Sequence, residues 1–499
     1  MTDGSDGSAK TFKSLSRKIA VSAAILGLLW LLPPYFHDLR RLCPVRPDGV
    51  SQALGLPAFA RKYKMSCSQC HADYPTLNAY GRQFKMNGYV RTRGSTDGVL
   101  QSQNQELWTE ATMPWAVIVR SRPLDTGHGM ANTGTQMGDS SNNTPKGNGP
   151  LFQPLNDIDM FIAGGDAAKH VSYFGEMDAN IGNGFSAAMG DLRAGYHPSL
   201  LYNIVLMRRG FFVDDPYQTI TSAESPTIAN RSTDFLMSGQ AYLSGFPLNT
   251  QTQTGEIYGQ VHISSASPSF VYYALGYSKD PGSSAVSNNA GQGPGTGYAR
   301  FAYDTGNGLM LGTFGQYGQS GGPGDAGAPG SSSYLPGGGQ TCSGGACPPG
   351  GVGTPYANHY IQSVRGGVDA LWEHNDFYAR AAYVYAHDSD ATMGAAESDQ
   401  AAYAELFYTY KRDYNGYAFL VPLIRENWLT LWNGTEQFNY VTAQLAHYFA
   451  PNFKGFVEYT VDTNRSYGSG LADVNTGGTG IASVLPMGNR LAMQLEVGF

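Results

Sequence analysis

The last nine residues of the chain alternate strictly. Leu491, Met493, Leu495, Val497 and Phe499 fall on one side of an extended strand, and Ala492, Gln494, Glu496 and Gly498 on the other. Successive strand side chains point to opposite faces, so one face here is apolar and the other mixed. The pattern recurs upstream. Val457, Tyr459 and Val461 alternate with Glu458 and Thr460, Val441, Ala443 and Leu445 alternate with Thr442 and Gln444, and Phe377, Ala379, Ala381, Tyr383 and Tyr385 make a further row. From about Trp115 to Phe499 there are about 16 such segments of roughly 7 to 12 residues. No long apolar helix accompanies them. If such a sequence lies in a membrane it must close into a barrel, because lipid cannot satisfy an open sheet edge. The terminal strand is also about as long as a tilted spanning strand must be. The expected fold is therefore all-β: a transmembrane antiparallel β-barrel of about 16 strands, preceded by a small α-helical segment.

Composition agrees. Only 14% of residues are charged and 12% are aromatic, with 32 Tyr, 23 Phe and 64 Gly. Soluble domains usually carry roughly 25% charged residues. Low charge with many aromatics suits strands that face lipid and end in aromatic girdles. Residues 1–93 hold 14 Lys/Arg against 5 Asp/Glu, while the remainder holds 18 against 34. No basic face of the nucleic-acid-binding kind runs through the bulk of the chain, so nucleic acid is not an expected partner. Pro281–Gly297 and Gly318–Pro355 are rich in Gly, Ser and Pro and read as long external loops, whereas Gly308, Gly416 and Gly455 fall near short turns. Asp388, Asp390 and Glu397 read either as cation-attracting loop groups or as ordinary solvated charge, and Glu458 and Glu496 as ambiguous lumen carboxylates.

The start of the chain reads as an export segment over 1–53. Lys10, Lys13, Arg17 and Lys18 precede Ile19–Leu32, which is uncharged and mostly apolar. That run is short for a spanning helix and suits a signal-peptide core. Ser51-Gln52-Ala53 is a candidate cleavage site, and an uncleaved inner-membrane anchor is the alternative. Cys342 and Cys347 could close a small disulfide in a Gly-rich loop, which fits an oxidising compartment, and Cys43 is left over.

Residues 54–95 form a separate unit ahead of the barrel at 96–499. It contains Cys67-Ser68-Gln69-Cys70-His71, the C-x-x-C-H signature of covalent c-type haem. The two thiols add to the haem vinyl groups, and His71 follows as the axial iron ligand. A thioredoxin-like pair would need a βαβ setting. A four-ligand zinc site would need further Cys or His nearby, and no other His lies between His37 and His128. Leu77, Tyr80, Gly81 and Phe84 recur at helical steps, with Gly88 as a stop.

Pro57-Ala58-Phe59-Ala60-Arg61, the Cys67–His71 motif, Pro75-Thr76-Leu77-Asn78, Gly81-Arg82, Phe84-Lys85 and Gly88-Tyr89 together resemble the N-terminus of the cytochrome–porin fusions of iron-oxidising bacteria. These are outer-membrane monohaem iron(II) oxidases. The close match covers about residues 57–89, and the remainder matches in architecture, length and terminal strand. The resemblance implies one covalently bound haem c in or at the barrel lumen, oxidation of extracellular Fe(II), and a periplasmic copper protein or c-type cytochrome as acceptor. It also implies an outer-membrane location with loops at the cell surface. A solute channel with a haem plug or redox sensor, and a conduit for a donor other than iron, are the alternatives. For the sixth iron ligand, the segment offers only the thioethers of Met65 and Met86. Met86 is the expected one, since it lies 15 residues past His71 and so could fold over the other face of the ring.

Overall fold

The computed structural model describes residues 57–91, 114–126, 151–181, 186–208, 214–221, 225–237, 253–264, 267–279, 295–320, 361–392, 395–412, 417–431, 433–434, 436–466 and 489–499. The export segment, Cys43, the Cys342/Cys347 pair and most of both Gly-rich linkers fall outside these residues, as do the side chains of Asp388, Asp390 and Glu397.

The chain enters through α1 (Pro57–Tyr63) and a single 3-10 turn at Cys67–Gln69. A minimal hairpin follows, β1 (His71–Asp73) and β2 (Thr76–Leu77), and then α2 (Ala79–Met86). The barrel comprises β3 (Trp115–Asp125), β4 (Leu151–Asp166), β5 (Val171–Asn180), β6 (Ser186–Tyr196), β7 (Asn203–Arg208), β8 (Gln253–His262), β9 (Phe270–Lys279), β10 (Gly295–Asp304), β11 (Leu309–Ser320), β12 (Ile361–His374), β13 (Phe377–Thr392), β14 (Ala395–Tyr408), β15 (Tyr410–Arg412), β16 (Tyr417–Leu431), β17 (Glu436–Ala450), β18 (Phe453–Ser466) and β19 (Arg490–Gly498). Every neighbour is antiparallel, and β19 pairs with β3 to close the ring. β14 and β15 are two pieces of one strand, since both pair with β16. The barrel therefore has 16 strands, as expected from the alternation.

Parity fixes the faces. On β19, Ala492, Gln494, Glu496 and Gly498 are buried, while Met493 and Phe499 are exposed. Glu458 and Thr460 of β18 point inward, with Val457 and Tyr459 outward. The outer wall is a belt of Leu, Val and Tyr in which Leu206 is 64% and Val368 56% exposed. At the end bearing the short turns an aromatic collar interrupts it. Trp372 stacks on His374, Tyr408 meets Tyr410 at 4.5 Å, and Phe419, His447, Phe449 and Phe453 follow in edge and tilted contacts. Such girdles sit where a barrel leaves the hydrocarbon. Among the described residues no helix is long and apolar enough to cross a membrane.

The lumen is filled from two directions. The α1–α2 segment enters from the short-turn end. Between β7 and β8 the chain also folds inward, carrying α3 (Ser232–Met237) against β13, β14 and β16. This strap is held by the wall through backbone groups: Glu458 accepts from the amides of Ile228 and Ala229, both at 2.7 Å, and Gln444 donates to the Pro226 carbonyl at 2.7 Å. Arg425 donates to Thr227 Oγ1 at 2.8 Å and also reaches the Ala229 carbonyl. Inward-facing charges are paired, as in Arg300–Asp369 at 2.6 Å and the Arg380, Arg425 and Glu405 cluster. A buried charge left without a partner would be strongly destabilising.

Candidate functional site

The five residues of the motif lie in one tight turn. The Cys70 amide donates to the Cys67 carbonyl at 2.9 Å, and the Asn78 amide donates to the Cys70 carbonyl at 2.9 Å. Asn78 also caps α2, accepting from the Gly81 amide at 2.9 Å and donating to the Ser68 carbonyl at 3.1 Å. An N-cap of this kind satisfies an otherwise orphaned amide of the first turn. The motif and the helix are in backbone contact. A Cβ added at Gly81 would sit 2.1 Å from the Cys70 carbonyl oxygen, so only glycine permits this approach.

Barrel side chains seat the turn. Thr409 donates to the Ala72 carbonyl at 3.1 Å. Tyr448 accepts from the Tyr74 amide at 2.9 Å and donates to Asp73 at 2.6 Å. Lys454 pairs with Asp73 at 3.0 Å and donates to the Tyr74 carbonyl at 2.9 Å. Gln218, from the strap, accepts from the Leu77 amide at 2.9 Å, and Arg82 pairs with Glu373 of β12 at 2.9 Å.

His71 Nδ1 lies 3.0 Å from the Pro75 carbonyl oxygen. A carbonyl can only accept, so Nδ1 carries the proton and Nε2 keeps its lone pair. Metal-binding histidines characteristically donate their other ring N–H to a carbonyl in this way, which fixes the tautomer and the ring's orientation. Burial lowers the His71 pKa to about 4, with Lys454 adding to the effect against the hydrogen bonds to Pro75 and Thr76. The ring thus stays neutral and able to bind metal in moderately acid solution. Burial pushes the Cys70 thiol up to about 12 and also raises the Cys67 thiol, with Cys70 as the second cause there. Both shifts favour the thiol over the thiolate in the folded chain.

The motif opens onto a cavity of about 220 Å³, partly open to the rest of the lumen. Its apolar part is built by Phe59, Tyr63 and Phe84 from the segment and by Phe161, Phe174 and Phe456 from the barrel. Ile228 and Pro226 of the strap line it as well. On the barrel side stand Arg120 and Arg122 of β3, Arg193 of β6, and the carboxylates Asp159, Glu176, Asp178 and Glu496.

Cys67, Cys70 and His71 come together on this cavity, and Met65 lines it too. Met86 does not join them. Its side chain is buried against Val205, Tyr258 and Tyr272, and its sulfur accepts from Gln260 Nε2 at 2.9 Å. The reason is helix phase. Gly81, Phe84 and Lys85 form the cavity face of α2, and Met86 lies roughly 140° around the helix from Gly81 at 3.6 residues per turn. The lumen arginines and the strap were not anticipated from the sequence. The parity of β3, with Ala116 and Ile118 inward, would have located Arg120 and Arg122.

No family model and no curated protein matches the chain. Among solved structures it is similar to OmpT of Vibrio cholerae in its trimer form, at 9% identity and a TM-score of 0.49, covering 77% of this chain and 98% of that one. It is similar to the anion-selective porin from Comamonas acidovorans at 7% identity and a TM-score of 0.46, covering 77% and 98%. OmpF of Salmonella typhi in complex with daunomycin gives 13% identity and a TM-score of 0.44, covering 78% and 98%.

Proposed function

We propose that this chain is an outer-membrane c-type cytochrome whose barrel carries one haem c, and that it oxidises extracellular Fe(II) and passes the electron inward to a periplasmic copper protein or cytochrome. The observation that carries the reading is a C-x-x-C-H turn seated inside a barrel, with His71 Nδ1 committed to Pro75 and Nε2 left for iron. The residues present fit the group. Cys67 and Cys70 would hold it covalently, His71 would supply the axial nitrogen, and the rings of Phe59, Phe84, Phe161 and Phe174 supply apolar walls. Bound haem would supply a one-electron relay. The chain's own residues fix the imidazole tautomer and line the site with aromatic rings, inside a barrel whose apolar band, about 25 Å tall, otherwise insulates. The barrel, with its apolar belt and aromatic collar, suits the outer membrane, with the short turns facing the periplasm. Of the two thioethers, Met65 faces the cavity, whereas Met86 would have to leave Gln260 and turn α2 over to reach it.

The test is anaerobic mixing of purified protein with excess Fe(II) at its native pH while haem absorbance is followed. Reduction is expected. A haem that stays oxidised would leave the channel reading or a different donor.

A further inference from the structure

Two of the cations lining the cavity keep a buried N–H without a hydrogen-bond partner, Arg120 at Nε and Arg122 at Nη1, but only Arg122 makes no hydrogen bond to a carboxylate. Arg120 is held by Asp157 at 3.0 Å and by Asp159, and it approaches Glu496 at 3.5 Å. Arg193 is held by Asp191 at 2.5 Å and by Asp214. Arg122 differs. Its Nε and Nη2 both lean on one neutral oxygen, Gln494 Oε1, at 3.4 and 3.2 Å. Its Nη1 is buried with no hydrogen-bond partner. Asp125 lies 3.7 Å away but is taken by Arg490 through two bonds, at 2.8 and 2.5 Å. Arg122 itself is 5% exposed. A buried guanidinium with an unused N–H is costly, and such an orphan in a native structure calls for a missing partner.

Haem chemistry supplies that partner. The vinyl groups that Cys67 and Cys70 would take lie on one edge of the macrocycle, and the two propionate carboxylates on the other. A haem tethered at the motif would carry its carboxylates on the edge away from the two cysteines. Both the motif and Arg122 line that cavity, one from the segment and one from strand β3. Carboxylates are the anions that the planar guanidinium fork binds best. Resting on the haem reading above, we propose that Arg122 binds a haem propionate, so that the barrel wall and not only the N-terminal segment holds the cofactor. Gln494 then acts as a positioning residue. It accepts from Arg122 and donates to Glu496 at 2.7 Å, which keeps that carboxylate from competing for the guanidinium.

The experiment uses the full, haem-loaded chain. Arg122→Gln should keep haem on Cys67 and Cys70, move the propionate-bending band in resonance Raman, and lower the midpoint potential. Removing a positive charge disfavours the electron-rich state; a tenfold change in the reduction equilibrium corresponds to about 59 mV for one electron. Arg122→Lys should move the band while restoring most of the potential, and it carries the test where the glutamine variant fails to assemble. A band and a potential that both stay put in these variants would overturn the proposal while leaving the haem reading intact. Wild-type protein without covalent haem would instead sink both.

Discussion

At the scale of single residues the site depends on three side chains and one backbone contact. Cys67 and Cys70 would tether, His71 would ligate, and the Pro75 carbonyl decides which imidazole nitrogen is available. The residues contribute separably. Cys67→Ala or Cys70→Ala should weaken or abolish covalent attachment, and His71→Ala should leave attached haem without its proximal ligand. Denaturing gels stained for haem peroxidase activity, with pyridine haemochrome spectra, read both effects. Normal covalent haem in the cysteine variants would refute the motif assignment. That Cys67, Cys70 and His71 share one cavity was legible in the sequence, because the motif sets them within five residues. The direction of Met86 was not, because spacing along a chain does not give the phase of a helix. One residue's difference from Lys85 takes the side chain off the cavity face and onto the wall of Tyr258 and Gln260.

At the scale of elements, the critical joint is α2 against the motif. Gly81 meets the Cys70 carbonyl, and the carbonyl is backbone, so it cannot rotate aside. Gly81→Ala should force the helix off the turn at a cost of roughly 1–3 kcal/mol, the usual range for overpacking. Covalent haem per folded barrel should fall several-fold, measured by haem absorbance against protein, while the barrel itself still forms. Full loading would mean that the joint is looser than this geometry. The strands were read correctly for a simple physical reason. A lipid-facing strand must alternate, and Leu491–Phe499 does so without exception. The inward strap leaves no such trace. Its polar groups are satisfied by Glu458, Gln444 and Arg425, residues more than 190 positions away in sequence. No local pattern in Ser225–Asn230 reports those partners.

At the scale of the whole molecule, the barrel is filled where an open porin would be hollow. The motif segment occupies the short-turn end, and the strap is bonded across to the wall around Glu458. A solute channel needs a continuous aqueous path. We expect planar-bilayer recordings of the pure protein to lack the steady large conductance of an open porin, and a steady conductance of that size would favour the channel reading. A conduit for electrons needs only a redox group near enough to both faces. The most direct measurement therefore uses sealed liposomes bearing the full-length, haem-loaded protein and enclosing oxidised soluble cytochrome c. Fe(II) is added outside under anaerobic conditions, and the absorbance of the enclosed acceptor is followed. The enclosed acceptor should be reduced with wild-type protein and stay oxidised with the Cys67→Ala/Cys70→Ala double variant. Equal reduction with both proteins, or no internal reduction while the barrel's own haem is reduced, would contradict the account.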